Sequence, residues 1–149
     1  MKTKKIVFSA LLLILLLPFV YSQPREIKIE GQDQLRYTIE MIKAKPGESL
    51  KITLITVSAL DKSQMAHNWV LLKQGTDALN FVTQGLQHED NDFIDPELTG
   101  QIIAKTDMLG DGEVDSVTFT TPQKKGEYQY VCTFRAHFQA GMKGMLIVE

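Results

Sequence analysis

The chain has 149 residues, 44% of them hydrophobic, with a single cysteine, Cys132, and a formal net charge of −2. One cysteine excludes an intrachain disulfide, so packing must hold the fold together. The mildly acidic balance argues against nucleic acid or an anionic membrane surface as partner.

The N-terminus opens with the basic residues MKTKK, followed by a run of fifteen mainly apolar residues, IVFSALLLILLLPFV. Val20 and Ser22 then flank the larger Tyr21. This order predicts a signal peptide over 1–22, cut after Ser22, and hence a periplasmic or otherwise exported protein. Left uncut, the segment would act as an anchor, although a membrane span needs about 20 apolar residues. Cleavage leaves residues 23–149 as one domain, and losing three lysines moves the net charge from −2 to −5. A domain of that size buries a core without staples.

After the leader, short runs rich in β-branched and aromatic residues alternate with turn residues. REIKIEG, LRYTIEMIKAKPG, SLKITLITVS, HNWVLLK, QIIAKTDM, EVDSVTFTTP, GEYQYVCTF and KGMLIVE read as strands. KPGE, GDGE and KKGE read as turns, because proline fixes φ and glycine accepts positive φ. About eight strands at this spacing predict an all-β sandwich. Residues 76–99 interrupt the pattern: Leu79, Val82 and Leu86 fall at i, i+3, i+7 behind a candidate N-cap, Asp77, predicting a short helix. The acidic HEDNDFIDPE that follows is expected to be a solvated loop, and its spacing does not match a calcium-binding loop.

The last third of the chain holds Cys132, His137 and Met142 within eleven residues, and His67 lies upstream in MAHNWVLL. Strand alternation puts Tyr128, Tyr130 and Cys132 on one face, and His67, Trp69 and Leu71 on one face of another strand. The donors are therefore expected at one pole of the sandwich, above an aromatic floor. Singly, each has a packing explanation: a lone cysteine in the core, a histidine at a strand end, a methionine filling space. Together, a thiolate, two imidazoles and a weak thioether suit copper in electron transfer. Coordination would also keep the lone thiol of an exported protein from oxidation.

At these residues the chain resembles the cupredoxins, small type 1 blue copper proteins, and among them the azurins. IEGQDQLRYT, MAHNWVLL, GDGEVDSVTF and CTFRAHFQAGMKGMLIV resemble azurin segments in the same order. The resemblance implies a Greek-key β-sandwich with a helical flap over 76–99. It also implies one copper bound by His67 Nδ1, Cys132 Sγ and His137 Nδ1, with Met142 as axial sulfur. Asn68 matches the asparagine that ties the two ligand-bearing loops together. Four features depart from the azurin pattern. Four residues, not three, separate His137 from Met142, a spacing more like auracyanin. Ala66 stands where azurins have a glycine whose carbonyl approaches the metal, and the azurin disulfide cannot form. Arg135 follows Phe134 where azurins have proline, and its backbone N–H or its charge is expected to raise the reduction potential.

The expected function is one-electron carriage without substrate turnover; a nitrite-reductase type of enzyme would need a second copper and more histidines than the remaining His88. The resemblance implies c-type cytochromes, or copper or haem reductases and oxidases, as transient partners. Met65, Phe134, Phe138 and Ala140 are expected to form an apolar docking patch around His137. Copper storage or delivery with the same ligands is the alternative.

Overall fold

The computed structural model describes residues 23–149, so the expected signal peptide lies outside the described residues. Nine strands build two sheets: β1 (Arg25–Gln32), β2 (Arg36–Tyr37), β3 (Met41–Ala44), β4 (Ser49–Val57), β5 (Val70–Leu72), β6 (Ile102–Lys105), β7 (Val114–Thr120), β8 (Gly126–Val131) and β9 (Lys143–Val148). One sheet has the order β2-β1-β4-β7 and the other β3-β9-β8-β5-β6. The expected all-β sandwich is what forms.

Alternation decides which side chains meet between the sheets. Leu50, Ile52 and Leu54 of β4 are fully buried, while Lys51 and Ile55 between and beyond them are only partly covered. Ile29 of β1, Tyr128 and Tyr130 of β8, and Leu146 and Val148 of β9 face them in one core with Trp69, Cys132 and Met142. Each fully buried aliphatic chain contributes about 1.5–3 kcal/mol.

The stretch 35–47, expected as one strand, is two. β2 pairs with β1 and β3 pairs with β9, so the chain changes sheets between them. The inward side chains show why: Tyr37 is odd-numbered, Ile42 and Ala44 are even. A period of two cannot change parity without a break. The crossing is held where Thr38 N–H donates to the Glu30 carbonyl at 3.0 Å and Tyr130 Oη to the Ile39 carbonyl at 2.6 Å.

Helix α1 (Ala78–Gly85) begins as expected, with Asp77 Oδ1 accepting from Asn80 N–H at 3.0 Å. Its buried face is not the expected one. Ala78, Phe81, Val82 and Gly85 turn inward, whereas Leu79 is 55% exposed and Leu86 38%. The reason is close approach: a Cβ on Gly85 would lie 1.9 Å from the Phe93 carbonyl oxygen. The small side of the helix admits the loop behind it, and Phe81 fills the rest. That loop is likewise more than a solvated connection, since Phe93 and Ile94 are buried between two short 3₁₀ turns, Glu89–Asn91 and Pro96–Gln101. No helix among the described residues is long and apolar enough to cross a membrane.

Because the obstacle at Gly85 is backbone, Gly85→Ala should lower unfolding free energy by at least about 1–3 kcal/mol in denaturant titrations. Leu79→Ala, on the open face, should change it by no more than about 0.5 kcal/mol.

Candidate metal centre

His67 precedes β5 and is fixed by a reciprocal backbone pair with Leu109: His67 N–H donates to the Leu109 carbonyl at 2.9 Å and Leu109 N–H returns a bond at 2.8 Å. Cys132 lies one residue beyond β8, its N–H bonded to the Met142 carbonyl at 3.1 Å. His137 opens the single-turn helix α2 (His137–Ala140), entered through Ala136 at φ 65°. Met142 follows α2, and its N–H donates to the His137 carbonyl at 2.8 Å. Two segments, the one before β5 and the one between β8 and β9, thus deliver their side chains to one pole of the sandwich.

There, one donor atom each from His67, Cys132 and His137 lie within 4.8 Å of one another. Cys132 Sγ is 3.5 Å from His137 Nδ1, and the imidazole centroids are 5.0 Å apart. Met142 is fully buried in the same core cluster as Cys132. The Ala66 carbonyl oxygen is 4.0 Å from Sγ, so it faces the cluster despite the methyl group.

The electrostatics are those of a site prepared for a cation. Both ring nitrogens of His67 are buried without a hydrogen-bond partner, an arrangement that costs free energy unless a ligand takes the lone pair. Burial pushes the Cys132 thiol up to about 12, opposed by backbone N–H groups of Asn68 and Phe134. Burial also lowers both His67 and His137 to about 4, leaving neutral imidazoles ready to coordinate. A soft cation displaces the thiol proton and satisfies the orphaned nitrogen together, so the residues fit copper.

The surrounding side chains divide into those expected and those missed. Asn68 ties the two ligand segments as expected: its Nδ2 donates to Thr133 Oγ1 at 2.7 Å, and Thr133 N–H donates to its Oδ1 at 2.9 Å. Thr133 extends the tie to the flap, its hydroxyl donating to the Asp92 carbonyl at 2.5 Å. Phe93, missed as part of an acidic loop, stacks edge-on against Phe134 with centroids 5.4 Å apart, and Phe134 lies 4.8 Å from the His137 ring. Gly31 was also missed: a Cβ there would lie 2.9 Å from three carbons of His67. Its only sequence signal is a glycine inside a strand, which marks a close approach.

Two expectations need correction. Phe138 does not belong to a surface patch; it is buried against Val70, Leu72, Phe81 and Val131, with Lys143 Nζ 4.8 Å above its ring. As the residue after His137 on α2, it turns toward α1. Met65 and Phe134 are half-buried and Ala140 is exposed. Arg135 does not present a free charge, since its guanidinium pairs with Glu89 while lying 5.1 Å over the Phe93 ring. Its charge is therefore partly neutralised.

Comparison with known proteins agrees with this geometry. A family model described as copper binding proteins of the plastocyanin/azurin family matches residues 25–149. The chain is 34% identical to azurin of Pseudomonas aeruginosa over 98% of its length and 99% of that protein. It is 42% identical to auracyanin-B of Chloroflexus aurantiacus over 67% of its length, spanning 45% of that relative. Dithionite-reduced auracyanin of Roseiflexus castenholzii superposes with a TM-score of 0.74 at 31% identity, over 86% of this chain and 99% of that one.

Gly31→Ala should push the His67 ring from its place. The expected outcome is a smaller gain in melting temperature on adding copper than in the unsubstituted protein, measured by calorimetry with and without metal.

Proposed function

The chain belongs to the copper-binding plastocyanin/azurin family, and from that premise we propose that it is an exported one-electron carrier with a type 1 copper site. The observation that carries this reading is the buried meeting of His67, Cys132 and His137 within 4.8 Å at the pole of a rigid sandwich. Copper supplies a Cu(II)/Cu(I) couple there. Cys132 and the two imidazoles would be its strong donors and Met142 would add a weak thioether, with the Ala66 carbonyl facing the cluster.

The protein's own part is to keep these groups still and dry. The backbone pair at His67, the Asn68–Thr133 tie and the Cys132–Met142 bond fix the donors before any metal arrives. A scaffold that hardly rearranges between oxidation states keeps the barrier to transfer low. Ligand-field preference then has little freedom to drag the donors apart.

His137 is 4% exposed, against 0% for His67, Cys132 and Met142, and the rim we assign to it is Met65, Phe134 and Ala140. A small apolar rim of this kind suits brief docking, because transient redox interfaces bury less than about 1,200 Å². Partners of the expected chemistry are c-type cytochromes and copper or haem reductases and oxidases. Export follows from the leader read over 1–22. Among the described residues, His67, Cys132 and His137 are the grouping that could hold a metal.

Protein loaded with Cu(II) should be intensely coloured and reversibly bleached by reductant, and Cys132→Ser should abolish the colour in visible and paramagnetic-resonance spectra. A colourless, redox-silent copper complex would instead establish storage or delivery. Arg135→Gln tests the neighbouring charge: with Glu89 already compensating it, the potential should move by less than about 59 mV, the tenfold unit of a one-electron couple, in voltammetry.

A further inference from the structure

Strand β2 has only two residues, Arg36 and Tyr37, yet it touches both ligand-bearing segments. Tyr37 Oη donates to the Asn68 carbonyl at 2.5 Å, beside His67. Arg36 Nη1 donates to the Ala140 carbonyl at 2.5 Å, across 104 residues of sequence, and to the Leu35 carbonyl at 3.0 Å. Its Nε faces Glu40 Oε1 at 3.7 Å.

The guanidinium also fills the space that a side chain at 141 would need. A Cβ on Gly141 would lie 2.2 Å from Nη1 and 2.6 Å from Cζ. Gly141 has φ 111°, where glycine is already favoured, so the missing side chain and the arginine fit together. Gly141 immediately precedes Met142, whose N–H is bonded to the His137 carbonyl and whose carbonyl accepts from Cys132 N–H. A displacement of Ala140 is therefore passed straight into the ligand loop.

We propose that Arg36 is a positioning residue for the His137–Met142 loop, an external brace that sets where Met142 sits relative to Cys132 and His67. Four residues separate His137 from Met142, and α2 is a single helical turn whose amides are bonded within the loop, so the Arg36 bond to the Ala140 carbonyl is what ties its end to another part of the fold. A planar, permanently charged donor fork is suited to hold that end. The link to metal geometry rests on the copper reading above, whereas the brace itself does not need a metal.

The test uses the whole protein carrying Arg36→Ala or Arg36→Lys, in two arms. In metal-free protein, amide hydrogen exchange is followed at Ala140, Gly141 and Met142. In protein loaded with Cu(II), visible and paramagnetic-resonance spectra are recorded. The alanine variant should lose protection at these amides by roughly three- to tenfold, the scale of one charge-assisted bond at a half-exposed site. It should also shift the copper spectra, and lysine, which keeps one donor, should restore part of both effects. Unchanged protection at Ala140–Met142, whatever happens to overall stability, would overturn the brace. Lost protection with unchanged spectra would overturn its role in placing Met142. If the unsubstituted protein takes up copper without colour, the reading as a type 1 site fails, and the exchange arm still decides the brace.

Discussion

Placing two imidazoles and a thiol together in an apolar pocket is unfavourable, and the rest of the fold exists in tension with that fact. His67 keeps two unpartnered nitrogens, and the Cys132 thiol is held far from ionisation. Local relaxation is opposed by backbone hydrogen bonds, which tie His67 to Leu109 and tie Cys132, Met142 and His137 to one another. The pocket is thus stable only because the sandwich below it is. A buried aromatic and aliphatic core offsets the cost at the pole, and a bound cation removes it.

Several devices converge on that rigidity. Asn68 and Thr133 join segments 65 residues apart with two buried bonds, each worth about 1 kcal/mol net. The Thr133 hydroxyl then reaches the flap carbonyl of Asp92, and Arg135 spans to Glu89 and Phe93 from the outside. The flap is consequently part of the site's wall. Phe93, Phe134 and His137 stand in sequence from that wall toward the cluster.

The sequence carried the parts of this arrangement that depend on residue chemistry or on a short period. Soft donors at close spacing, alternation in β4 and β8, and the Asp77 cap are all local signals. What was hidden depends on three-dimensional approach. The helix face was misassigned because Leu79 and Leu86 outscore Gly85 in hydrophobicity, while close packing on the Phe93 carbonyl selects the smaller residue. Phe138 was placed at the surface because neighbouring ligands suggested it, but one helical turn directs it to α1. The break in 35–47 could have been found from the parity change between Tyr37 and Ile42. Gly31 signals a close approach only in general terms, since nothing local says that an imidazole will lie against it.

The C-terminal strand β9 is interior in its sheet, parallel to β3 on one side and antiparallel to β8 on the other. Three of the four donors fall within the final eighteen residues of the chain. The sheet and the pocket are therefore complete only when β9 has joined β8, its near neighbour in sequence, to the distant β3. Pairings so distant along the chain assemble slowly. His67 and the segment 132–142 come together only through that sandwich, so capture of the ion follows folding and does not guide it.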